Sequence, residues 1–406
     1  MLDYGGGNMN RDDFLILKNN LIYFDSGATT LKPNPVIDEV VNYYTKYTAN
    51  AHRGDYDNSK LVDVMYEGVR DKVKDFINCN SSKEVIFTKG ATESLNMIVF
   101  GFMKNVLKKG DEVLLTKIEH ASNILPWLEL EKEIGIVIKY IPLNKDLGID
   151  IDDVRNFITS RTKVISIAHI TNTIGDIRPI NEIGKLCRSD NIYFVVDGAQ
   201  SVPHIKTDVV LDNIDFLAFS GHKMLGPTGI GVLYGRYDLL DKLIPLNYGG
   251  GMNNYFMGNG NLEYKELPTR LEAGTPNIAG VIGLGKAIDY LLDIGFDKIH
   301  GHELELRDYL ISKLEGISNV KIYNKNSKSG IVLFNLDNVF AQDTALYLNS
   351  FNICVRAGNH CAKILKDEIG IANTCRISLY LYNTKEEIDI LINALLDSGN
   401  IFNVVI

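Results

Sequence analysis

The sequence predicts an α/β fold: a doubly wound, mostly parallel sheet in a large lobe, followed by a smaller α+β lobe. Three observations carry that prediction. From about 85 to 235, short apolar runs alternate with helix-length stretches, the signature of strand–helix–strand units. Two of those runs, 192–196 and 216–219, are rich in β-branched and aromatic residues, as strands buried on both faces are. Beyond about 297 the order changes to a long helix followed by strands at 319–324 and 330–336. At 406 residues the chain is long enough to bury two cores.

The elements follow in order. Residues 10–20 read as a short helix. Residues 22–30 read as a strand ending in a turn of small residues, and 35–48 as a helix. A polar cluster, Asn50 to Gly54, comes next. Residues 84–88 form a strand, and Gly90 and Thr92 then open a helix. Such a helix start presents free N–H groups that suit a phosphate. Residues 112–116 form a strand with His120 just beyond it. Trp127 is read as core, behind a helix-starting Pro126. Residues 164–168 form a strand that leads to Asn172, and 179–190 a crossover helix. The strand at 192–196 delivers Asp197 and Gln200, and the strand at 216–219 delivers Ser220, His222 and Lys223. A further strand spans 229–234. The glycine-rich stretch 248–260 reads as a flexible loop, placed to gate the passage of substrate. Helices follow at 279–294 and 297–315. Thr384 and Glu387 form a capping box at the last helix.

Composition excludes several classes. A charged fraction of 23% and a hydrophobic fraction of 45% are those of an ordinary globular protein. A net charge of −9 argues against nucleic acid or an anionic membrane as the main partner. No apolar run approaches the ~18 residues of a membrane span. The N-terminus lacks the basic and apolar regions of a signal peptide, and Met9 is an alternative start. The five cysteines, Cys79, Cys187, Cys354, Cys361 and Cys375, are odd in number and contain no C-x-x-C. That is neither a disulfide framework nor a metal site, and it fits a reducing cytoplasm.

Ligands of open α/β sheets bind outside the carboxyl ends of the strands. Asp197 and Lys223 are therefore expected to face one crevice. Alone, Asp197 reads as a turn cap and Lys223 as a solvated loop lysine. Together with Ser220, His222 and the glycines at 226 and 229, they suit pyridoxal 5'-phosphate. That cofactor needs an amine to hold its aldehyde, an anion at its ring nitrogen and donors around its phosphate. Cys361 lies in a polar loop beside Arg356, a setting that favours a thiolate, whereas the other four cysteines fall in or beside apolar patterns or lack such a loop. Arg376 offers a planar fork for a carboxylate.

Asp197-x-x-Gln200 followed by Ser220-Gly-His222-Lys223 resembles the class V aminotransferase group. Arg356-Ala-Gly-Asn-His360-Cys361-Ala resembles the catalytic cysteine loop of the second, SufS-type group of cysteine desulfurases. The resemblance runs from about Tyr23 to Leu396. It implies fold type I and an L-cysteine desulfurase that leaves a persulfide on Cys361, releases L-alanine and supplies iron–sulfur cluster assembly. It implies domains at 1–22 (packed on the small domain), 23–285 (cofactor-binding) and 286–406 (bearing the cysteine loop). By the same resemblance, Ala91, Thr92, Ser220 and His222 hold the phosphate, and Asp197, Gln200 and Asn172 the ring. His120 stacks on the ring and relays protons, and Lys223 is the cofactor lysine. Ala28, Thr29, Asn172, Arg356 and Arg376 receive substrate. Thr275, reaching across a homodimer interface, touches the partner's phosphate, and the Asn50–Gly54 segment approaches the partner's cofactor. Asn359 stands where the family often has His. A sulfur-acceptor protein is the implied partner. The alternatives are a selenocysteine lyase acting on L-selenocysteine, and an aminotransferase or epimerase of the same fold.

Overall fold

The computed structural model describes residues 9–52, 54–256, 262–362, 370 and 373–397. A short strand, β1 (Ile22–Tyr23), opens the chain's regular structure, followed by helices α1 (Asn34–Lys46) and α2 (Asp57–Phe76). The large lobe is then built on seven strands: β2 (Val85–Thr88), β3 (Glu112–Leu115), β4 (Val137–Tyr140), β5 (Thr162–Ala168), β6 (Tyr193–Asp197), β7 (Phe216–Ser220) and β8 (Gly231–Gly235). Their order across the sheet is β2-β8-β7-β6-β5-β3-β4. Within this sheet β8 alone runs against the rest. The sheet is thus mostly parallel, as the sequence predicts. β7 and β8 are buried along their whole length, and β6 along all but Tyr193. The edge strand β4 is partly exposed, as an edge tolerates.

Helix α2 was not anticipated from the sequence. It buries Val62, Tyr66, Val69, Val73 and Phe76, an apolar stripe at three- and four-residue spacing. With α1 it packs on the helix Ile278–Ile294. That helix is apolar nearly all round, and 12 of its 17 residues are buried, so it is a core helix. Residues 10–20 form two 3-10 turns, Arg11–Asp13 and Leu15–Asn19, instead of one helix. Phe14 separates them, fully buried against Tyr290 and Tyr382. Arg11 adds a 2.5 Å ion pair to Glu387, so tertiary contacts override helical continuity here.

Part of the glycine-rich stretch expected to be a loop is instead a strand, β9 (Asn253–Phe256), which pairs antiparallel with β10 (Leu262–Tyr264) just beyond that stretch. The tip of that stretch lies outside the described residues. The smaller lobe holds an antiparallel sheet of β11 (Val320–Ile322), β12 (Ile331–Leu336), β14 (Arg356–Gly358) and β15 (Thr374–Ser378), in the order β11-β12-β15-β14. β1 pairs in parallel with β13 (Ile353–Cys354), and the chain then bridges from Asp25 to Ser378. The segment leading into the large lobe is thereby fastened to β15. The helix Lys385–Leu396 opens with the expected Thr384–Glu387 capping box. Trp127 is buried in the core. Among the described residues no helix is long and apolar enough to cross a membrane.

Candidate active site

The sheet brings its chemistry to one edge. Asp197 ends β6, level with Ala168 of β5 and Ala218 of β7. Ser220 ends β7, and the 3-10 turn Gly221–Lys223 carries His222 and Lys223 past it. β2 leads through Gly90 into a helix over 91–106, α-wound at its ends and π-wound over Met97–Met103. Gly90 has φ 154° and ψ 174°, a conformation open in practice to glycine alone. That turn lets the Ala91 N–H reach Ser220 Oγ at 2.8 Å. Thr92 Oγ1 shares a 2.7 Å hydrogen bond with Ser122 Oγ. Ala91, Thr92, Ser220 and His222 thus line one cleft with Asp197, Gln200 and Lys223. This is a donor-rich end next to an amine and a carboxylate.

Electrostatics follow from burial. Removal from water pushes the Lys223 ammonium down to about 8; Asp197 opposes the shift, and Arg376 and Arg356 add to it. Burial raises the Asp197 carboxyl above its ordinary range, while the Ala199 N–H at 3.0 Å and Lys223 pull it back. A cation set against Asp197 would therefore offset the cost of burying it. His120, just past β3, is pushed down to about 4, first by burial and then by Lys223 and the two arginines. Its Nδ1 accepts from Ser122 N at 3.1 Å, so the neutral ring carries its proton on Nε2. Gln200 Nε2 donates to Gly27 O at 2.7 Å, and Asn172 Nδ2 to His360 O at 2.7 Å. The buried Oδ1 of Asn172 has no partner among the described residues.

Two arginines from the small lobe complete the cleft. Arg356 and Arg376 face each other in the β14–β15 register. Like charges directly opposite across a sheet are unfavourable, and here both line the same cleft, which suits an anion. Arg376 is 1% exposed and donates to Asn172 O at 2.8 Å and to Asp25 Oδ1 at 3.0 Å. Gly27 makes room for it: a Cβ there would stand 3.1 Å from the guanidinium carbon.

Cys361 is the exposed cysteine; Cys79, Cys187 and Cys375 are buried and Cys354 half-buried. Its loop is held from two sides, because Cys361 O accepts from Ala121 N at 2.9 Å and Asn172 reaches the preceding carbonyl. His360 and Cys361 have φ of 51° and 59°, a left-handed turn uncommon for residues other than glycine. Asn359 Oδ1 accepts from Cys361 N at 3.1 Å, so the asparagine braces that turn. His360 is 4% exposed, bonded to Thr374, and pushed down to about 3, chiefly by burial and then by the arginines.

The cleft therefore gathers Ala28, Ala91, Thr92, His120, Asn172, Asp197, Gln200, Ser220, His222, Lys223, Arg356, Cys361 and Arg376. Thr29 is not among its lining residues: Thr29 Oγ1 donates to His222 O at 3.1 Å, supporting the lysine turn from outside. Thr275 lies in a second hollow with Tyr66, Lys89 and Glu272. His52 contacts Asp63 and Glu67, away from the cleft, and Arg53 lies outside the described residues. Sequence reading passed over Ser122, Gly27 and Asp25. Ser122 follows His120 so closely that a cap to its ring was a readable signal. Asp25 had none, because its partner lies 351 positions away.

An α/β sheet with a lysine, a carboxylate and a donor-lined helix start at one edge defines an enzyme of the aminotransferase kind. The chain belongs to the class V aminotransferase family, whose model, Aminotransferase class-V, matches residues 22–391. It is 44% identical to the probable cysteine desulfurase of Halalkalibacterium halodurans over 92% of each chain. It is 41% identical to the probable cysteine desulfurase of Staphylococcus aureus strain Mu50, over 94% of this chain and 93% of that one. The apo cysteine desulfurase of Thermococcus onnurineus NA1 superposes with a TM-score of 0.92 at 37% identity, covering 95% of this chain and 96% of the other. The cysteine desulfurase CsdA of Escherichia coli, in its S-sulfonic acid form, gives 0.90 at 33% identity and 98% of both chains. The architecture is that of fold type I enzymes.

Proposed function

We propose that this chain is a pyridoxal phosphate-dependent L-cysteine desulfurase of the SufS type, with Cys361 as the sulfur acceptor. The observation that carries this reading is one cleft lined by Lys223, Asp197, two facing arginines and an exposed cysteine. The donor set fits the cofactor. Lys223 would hold its aldehyde, and Asp197 would take the ring nitrogen as the cation its burial calls for. Ala91, Thr92, Ser220 and His222 would hold the phosphate. Gln200 and Asn172, whose buried Oδ1 has no partner among the described residues, would hold the ring. When bound, pyridoxal phosphate supplies an electron sink that acidifies the substrate Cα–H.

The protein's own groups do the rest. Arg376 and Arg356 fix the substrate carboxylate. Lys223, whose ammonium burial lowers to about 8, is the base that removes the Cα proton. His120, lining the cleft as a neutral ring with its proton on Nε2, relays protons. Cys361 thiolate attacks the substrate sulfur. The S–S bond forms, the Cβ–S bond breaks, and its electron pair stays on carbon, which gains a proton. Cysteine and a thiol become alanine and a persulfide, and the persulfide sulfur passes to an acceptor protein of iron–sulfur cluster assembly. The enzyme works as a cytoplasmic homodimer.

With L-cysteine and a thiol reductant, the loaded enzyme is expected to release alanine and sulfide in a one-to-one ratio. Pyruvate and ammonia in place of alanine would contradict the reading. Thr275 completes the partner's phosphate site in this account. Thr275→Ala and Lys223→Ala chains, each impaired alone, should then recover about half of one site pair's activity when mixed as heterodimers. No recovery in verified heterodimers would remove Thr275 from the partner's site.

A further inference from the structure

Arg376 does not wait for substrate alone. Asp25 holds its Nη2 at 3.0 Å, the Asn172 carbonyl holds its Nη1 at 2.8 Å, and the buried Nε has no partner among the described residues. A guanidinium has five N–H donors, so both a bound carboxylate and Asp25 fit on one fork. Asp25 is placed by the fold. Phe24 O accepts from Ser378 N at 2.7 Å, and Asp25 bridges to Ser378, two residues past Arg376 on β15. Its side chain is 22% exposed against 2% for Arg376. The clamp thus holds two facing cations and one resident anion, and an incoming carboxylate must share Arg376 with that anion. Two carboxylates sharing one site repel each other.

We propose that Asp25 is a positioning residue that aims the Arg376 fork and weakens its hold on α-carboxylates. The amino-acid product carries the same carboxylate as the substrate, and a clamp without this restraint retains it. The inference rests on reading Arg376 as the carboxylate clamp. Asp25→Asn keeps an oxygen acceptor and removes the charge, whereas Asp25→Ala removes both. On the cofactor-loaded enzyme, L-alanine binding is read from the change in visible absorption, alongside separate KM and kcat values for L-cysteine. Asp25→Asn should tighten L-alanine binding and lower KM by roughly threefold to tenfold, as loss of a like charge at this range does. Asp25→Ala, with the fork no longer aimed, should lower kcat/KM by about tenfold or more. Unchanged or weaker alanine binding in Asp25→Asn, or the same change in both variants, would overturn the proposal. Arg376→Lys separates the two levels. If it weakens alanine binding while Asp25→Asn changes nothing, the role of Asp25 fails alone. If it leaves alanine binding unchanged, the clamp reading itself fails.

Discussion

Cys361→Ala is expected to keep the cofactor and lose desulfuration. The side chain is exposed, and its loop is held by the backbone N–H and C=O of Cys361, which bond Asn359 Oδ1 and Ala121 N, and, among the described residues, not by Sγ. Removing Sγ therefore leaves the turn and the fold in place. It removes the group proposed to receive sulfur. The fall in turnover should be at least about a hundredfold, or ~2.7 kcal/mol of barrier. Visible absorption of the bound cofactor and its change on adding L-cysteine should persist. Turnover within about twofold of the parent protein would exclude Cys361 as the acceptor.

Lys223→Ala should be the more severe change. The variant is expected to lose the visible absorption of covalently held cofactor and to slow by about 10² to 10⁴-fold from the missing base alone. Its parent carries a distinct pH signature. Burial lowers the Lys223 ammonium to about 8, so the reactive neutral amine gains as pH rises, is half formed near 8 and is nearly complete by about 9. Uptake of pyridoxal phosphate by the apoenzyme should accelerate about tenfold per unit between pH 6 and 7, then level off above 8. A rate still climbing steeply between pH 9 and 10 would mean an ordinary, solvated lysine. A normal cofactor absorption in Lys223→Ala would place the attachment elsewhere.

Much of the site was legible in the sequence because it follows from strand ends. Asp197, Ser220 and the turn to Lys223 sit where apolar runs stop, and parallel strands deliver their carboxyl ends to one edge. The seven-strand order and the reversal of β8 were not legible, since a two-residue period is the same in either direction. Helix α2 carried a readable stripe, but it lay among charged residues and was passed over. The break at Phe14 depends on Tyr290 and Tyr382, far along the chain, so local pattern favoured one helix. Asp25 illustrates the same limit at the site. Nothing around residue 25 announces an arginine, because the pair exists only through the bridge to β15.

The central claim is that sulfur moves from L-cysteine to Cys361. Single-turnover mass spectrometry of the cofactor-loaded protein, with L-cysteine and without reductant, tests it most directly. The account predicts one added sulfur on the peptide containing Cys361, with one equivalent of alanine in solution. Alanine formed with no sulfur on that peptide, or sulfur found on another cysteine, would contradict it.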